Sequence, residues 1–97
     1  MGSSFAVISE QHRAFIEAQP MFFVASAPSG SDGHVNLSPK GYDTLRVLGA
    51  SEVAYLDLTG SGAETIAHLR ENGRVTLLFC SFGAKPLLLR LYGRGEV

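Results

Sequence analysis

Cysteine is almost missing: Cys80 stands alone among 97 residues, so no internal disulfide can brace the chain. Its neighbours Leu77, Leu78, Phe79 and Phe82 mark it as a packed thiol rather than a nucleophile. Charge of either sign is also scarce. Lys and Arg number 8 against 9 Asp and Glu, a net charge of -1; the basic residues are scattered, which removes the electrostatic case for a nucleic-acid surface. Cys and His form no cluster at ligand spacing, so no metal site is expected. No apolar run reaches the roughly 18 residues that a membrane span needs. The start, Met1 to Ala6, lacks the basic region of a signal peptide, and Ala6 stands where a myristoylation motif wants Ser or Thr. A soluble chain that stays in the cytoplasm is the expectation.

What remains is a single domain. With 45% hydrophobic and only 18% charged residues it can fill a small core with little to spare, so a partner surface is expected. Ser9 can cap a short helix running to about Gln19, where Pro20 stops it. Met21 to Ala27 is apolar and β-prone, and the turn formers from Pro28 to Gly33 lead into a second strand, His34 to Ser38. Pro39 and Gly41 should interrupt that strand. Leu45 to Leu48 reads as a short strand, Gly49 to Glu52 as a turn and Val53 to Leu58 as a third main strand. Ala63 to Glu71 reads as a helix that exits through Asn72-Gly73. The almost continuously apolar run Arg74 to Phe82 should be central, buried on both faces or supplying a dimer contact. Leu87 to Tyr92 alternates as a last strand. The pattern predicts a mainly β, α+β fold with short helices, built as a small antiparallel barrel.

The chemistry is best sought where a strand passes through Leu58-Thr59-Gly60-Ser61-Gly62-Ala63-Glu64-Thr65 into a helix. Gly60 and Gly62 allow close backbone approach. The Thr59, Ser61 and Thr65 hydroxyls, with the unpaired N–H groups of a first helical turn, can receive an anion. Ser61 and Glu64 also have capping-box spacing, so the same residues can serve only to start a helix. Lys40, on a Pro/Gly-bent strand end, is either a mobile cation for an anion or a solvated surface lysine. Tyr42 can stack on a ring or plug the barrel mouth. His68, four residues after Glu64, suits a helical ion pair more than catalysis.

Three segments, His34-Val-Asn-Leu-Ser-Pro-Lys-Gly41, Tyr55-Leu-Asp-Leu-Thr-Gly-Ser-Gly62 with Glu64-Thr65, and Asn72-Gly-Arg-Val-Thr-Leu-Leu-Phe79, together resemble the pyridoxamine 5'-phosphate oxidase-like family of flavin-binding split barrels. The likeness covers nearly the whole chain, and a strand like Leu89 to Glu96 follows in the family's order. It implies a split β-barrel of the FMN-binding type, a homodimer, and flavin mononucleotide at the subunit interface, serving an oxidoreductase that acts on a small molecule. Family members seat the flavin phosphate with a basic residue at the end of the second strand, which Lys40 matches, and with polar groups around the turn into the first internal helix, where Ser61, Gly62 and Thr65 fall. Backbone at Asn36 to Ser38 and at Tyr55, Leu56, Asp57 and Leu58 lies where the family flanks the isoalloxazine ring, which makes Ser38 a candidate partner for its polar edge.

Departures from the family pattern narrow what the resemblance implies. The oxidases proper carry Arg and Lys in the turn before this helix, where this chain has Glu64 and Thr65. Phosphate holding would then fall to backbone N–H groups, hydroxyls and Lys40, and oxidation of pyridoxamine phosphate itself is not expected. The chain stops where the family has more strand and a further helix, so either a partner subunit completes the pocket or part of it is absent. Two alternatives stand beside an FMN enzyme: an F420-dependent reductase on the same fold, and a non-catalytic flavin- or haem-binding dimeric barrel.

Overall fold

The computed structural model describes residues 2–41, 43–57 and 62–97. In chain order the elements are α1 (Glu10–Ala18), β1 (Phe22–Ser26), β2 (Asn36–Lys40), β3 (Leu45–Gly49), β4 (Glu52–Tyr55), α2 (Ala63–Glu71), β5 (Arg74–Ser81) and β6 (Leu87–Arg94). This is the α+β, mainly antiparallel architecture that the turn signals predict. Among the described residues all ladders are antiparallel: one sheet runs β2-β1-β5-β6, and β3 and β4 form a separate hairpin. The run at Arg74–Ser81 is interior to its sheet, flanked by β1 and β6. Val53 begins no third main strand; it belongs to the hairpin, and β4 ends at Tyr55.

One core joins the two parts. Phe22 and Val24 of β1 and Leu77 and Phe79 of β5 point to one side of the sheet, where Val47 of β3 and Ile16 of α1 meet them. Tyr55 of β4 sets its ring edge-on to Phe22 at 5.5 Å, while Phe79 stacks on the same ring from the neighbouring strand. Within this chain the alternation along β1 and β5 therefore has a packed face and a half-buried one.

Helix ends follow local chemistry. Ser9 accepts a hydrogen bond from the His12 N–H and caps α1, as its position before the apolar pattern predicts. The exit from α2 passes through Gly73 at φ +74°, a conformation glycine adopts without a Cβ penalty. At the start of α2 Gly62 is the N-cap, and among the described residues no side chain caps it; Ser61 of the capping-box reading lies outside them.

β2 departs from expectation in two ways. The ladder continues through Pro39, which lies opposite Phe23, to Lys40 opposite Phe22. Because β2 is an edge strand, the N–H that proline lacks can fall on its open side, where the ladder makes no use of it. Its polarity is also reversed. Leu37 is 67% exposed while Ser38 and Lys40 are buried at 7% and 8%, so the polar residues of this strand face inward.

Candidate functional site

The inverted strand builds the site. Period-two geometry places Asn36, Ser38 and Lys40 on one face, beside Ser26, Val24 and Phe22 of β1. Helix α2 lies over this polar row. Asn36 Nδ2 donates to Thr65 Oγ1 at 2.8 Å and approaches Ser38 Oγ at 3.5 Å. Ser26 Oγ and His68 Nδ1 are 2.8 Å apart. Thr65 is 2% exposed and His68 8%, so the helix buries polar side chains that must be paired to be tolerated there.

Its far end is tied in the same manner. Asn72 Nδ2 donates to the Ala27 carbonyl at 2.8 Å and to Ser29 Oγ at 3.2 Å. The Ser29 N–H donates to Glu71 Oε1 at 2.5 Å. That backbone hydrogen bond holds the Glu71 carboxyl below its usual range, with help from the Ser29 hydroxyl. These contacts fix α2 against β1 and the loop after it.

At the other end of the row, Lys40 carries its ammonium into the interior. Its side chain is 7% exposed, and Nζ lies 3.2 Å from Asp57 Oδ1, with the Asp57 side chain 23% exposed. The other carboxylate oxygen faces Gly62, and a Cβ at that position would collide with it. Glycine at 62 thus lets the carboxylate, the ammonium and the first turn of α2 converge. Tyr55 borders the same corner; burial raises its phenol pKa, and the Asp57 charge adds to the rise, so the hydroxyl stays protonated at neutral pH.

The predicted site residues separate into three groups. Ser38, Lys40, Asp57, Gly62 and Thr65 come together around the β2 row and the start of α2, with Tyr55 at its edge through Phe22. Leu56 is 67% exposed, and its N–H is engaged by the Thr44 carbonyl at 3.1 Å. Leu58 and Ser61, with Tyr42, Thr59 and Gly60, lie outside the described residues. Reasoning from sequence missed the Ser26–His68 contact and the hydrogen bond that makes Asn36 part of the site; His68 turns to the sheet rather than serving only as a helical partner for Glu64. A signal for Asn36 was present: Asn36-x-Ser38-x-Lys40 is a strand-period polar row.

The geometry defines an antiparallel α+β domain with an inward polar row, Asn36, Ser38 and Lys40, beneath α2, and comparison with known proteins makes the class specific. Residues 8–97 match the family model described as Pyridoxamine 5'-phosphate oxidase. The chain belongs to the pyridoxamine 5'-phosphate oxidase-like family. It is 52% identical over 92 residues to the Pyridoxamine 5'-phosphate oxidase family protein ustO of Aspergillus flavus, an alignment covering 93% of this chain and 36% of that protein. The chain thus spans about a third of that relative's length. No solved structure matches. Among the described residues no helix is long and apolar enough to cross a membrane.

Proposed function

We propose that this protein binds FMN and uses it in an oxidoreductase reaction on a small molecule. The observation that carries the reading is the buried Lys40 ammonium at the inner end of an inverted polar strand, paired with an Asp57 carboxylate that reaches Gly62 at the start of α2. A lysine is rarely brought inside unless it meets an anion. Lys40, Gly62 and Thr65, with Ser61, hold the phosphate in this reading. Ser38 and the backbone of Tyr55, Leu56, Asp57 and Leu58 flank the ring, and the neutral Tyr55 hydroxyl is available as a donor at the edge. When bound, the flavin supplies the electron-transfer chemistry; the chain supplies anchorage, orientation and exclusion of water. Oxidation of pyridoxamine 5'-phosphate itself is not part of the reading, because Glu64 and Thr65 replace the Arg and Lys of the oxidases proper.

A homodimer belongs to the same proposal. The outer face of the four-stranded sheet leaves Val35, Leu37, Leu88 and Tyr92 between 61% and 77% exposed. An open groove of about 360 Å³ crosses it, lined in part by Ala25, Val35, Thr76 and Tyr92. Exposed apolar side chains on this face suit burial against a second copy, with the cofactor at the interface and the cytoplasm as the working compartment. F420 is the second reading. The same turn at the start of α2 can receive the F420 phosphate.

Titration of the purified protein with FMN and with F420, followed by absorbance and fluorescence alongside solution mass, tests the proposal. Micromolar or tighter binding by a dimer is expected. A folded dimer that binds neither cofactor would leave the turn before α2 as a helix start and end the enzyme reading.

A further inference from the structure

The seat assigned to the flavin phosphate already contains an anion. Asp57 Oδ1 is 3.2 Å from the Lys40 ammonium, and its other oxygen lies against Gly62 at the N-terminus of α2. A phosphate held by the same ammonium and the same helical turn would occupy the space of this carboxylate. Two anions cannot share that position without strong repulsion.

We propose that Asp57 is the resident anion of this seat, a built-in competitor that a phosphate-bearing ligand must displace; this rests on the phosphate reading of Lys40 and Thr65 given above. The exposures set the direction of the exchange. The Lys40 side chain is 7% exposed and cannot follow a partner into water, whereas that of Asp57 is 23% exposed, two residues beyond the end of β4. It can swing outward while Lys40 stays in place. The carboxylate compensates the buried ammonium when no ligand is bound, and it lowers the affinity for a phosphate by the free energy of the contact it gives up. A ligand lacking a phosphate has no need to displace it. Asp57 therefore acts on the phosphate part of recognition alone.

Wild type and Asp57→Asn, with Asp57→Ser as a second variant should the first fail to fold, are titrated with FMN and with riboflavin. In parallel, their thermal midpoints are followed against inorganic phosphate. The expected result is FMN binding tightened about tenfold or more, the scale of losing one charge-assisted competitor, with riboflavin affinity moving several-fold less than that of FMN. Inorganic phosphate should raise the midpoint of the variant more than that of wild type, and adding Lys40→Met to the variant should remove that difference. FMN affinity that is unchanged or weaker in a folded variant overturns the proposal. If neither protein binds FMN, the flavin reading fails and the phosphate-dependent midpoints decide alone: a larger rise in the variant supports a resident anion at Lys40, and equal rises overturn it.

Discussion

The two helices are the same length, nine residues each, yet they dock by opposite means. α1 buries Ile16 at 2% exposure in the apolar core, with Phe15 packed against it. α2 buries Thr65 and His68, and with its C-cap Asn72 it is tied to the sheet at Asn36 and Ser26 and to the loop after β1 at Ala27 and Ser29 by hydrogen bonds. Apolar contact is strong and tolerant of small shifts. Hydrogen bonds add little net stability each but demand a particular geometry. The helix that closes the core is held by the first kind, and the helix that presents its N-terminus to Lys40 by the second. A site needs its donors positioned to within a fraction of an ångström, and the polar docking of α2 supplies that positioning.

The comparison can be broken first at α1. Ile16→Ala should destabilise the fold by about 2–4 kcal/mol through lost burial and the cavity left behind, as measured by denaturant unfolding. Flavin affinity of the fraction that remains folded should be unchanged. A large loss of affinity at equal folded fraction would mean that the two helices are not separable in this way.

At α2 the order of effects should reverse. Thr65→Ala leaves the Asn36 amide without its 2.8 Å acceptor and should cost about 1–3 kcal/mol, while FMN affinity falls about tenfold or more. Thr65→Val keeps the shape and loses the same hydrogen bond, so it should show a similar binding loss in isothermal titration. Binding restored by valine would assign the role of Thr65 to packing.

The smallest effect concerns the far end of α2. The folded-state pKa of Glu71 is depressed, chiefly by the Ser29 N–H. Its contribution is therefore present above the unfolded value, near 4.5, and is lost as pH falls through the lower folded value. Exchange of the Ser29 amide hydrogen should speed up over that acid range beyond the intrinsic pH trend, and Glu71→Gln should abolish this pH-dependent change. No excess change in the wild type would mean that the tether does not hold in solution.

Much of the fold was legible because its boundaries are set by local chemistry. Ser9 and Pro20 bracket α1, Gly73 ends α2, and the apolar run from Arg74 marks the interior strand. The orientation of β2 was not. Hydrophobic patterning would turn Leu37 inward, and tertiary placement under α2 turns Ser38 and Lys40 inward instead, a local conflict of the sort that marks functional segments. Lys40 and Thr65 stood out as phosphate candidates through the family resemblance, whereas the Lys40–Asp57 pair spans 17 residues and Ser26–His68 spans 42. No local pattern encodes contacts at those separations. Pro39 misled for a related reason: whether a proline breaks a strand depends on which side of the sheet edge it faces, and that is decided by strand order.

The central claim is that the inverted strand brings Lys40 inside to meet a ligand phosphate. Its most direct measurement compares FMN with riboflavin on wild type and Lys40→Met, each checked for folding. The account predicts that wild type prefers FMN and that Lys40→Met weakens FMN about tenfold or more while leaving riboflavin binding nearly unchanged. Equal affinities of a folded Lys40→Met and wild type for FMN would contradict it.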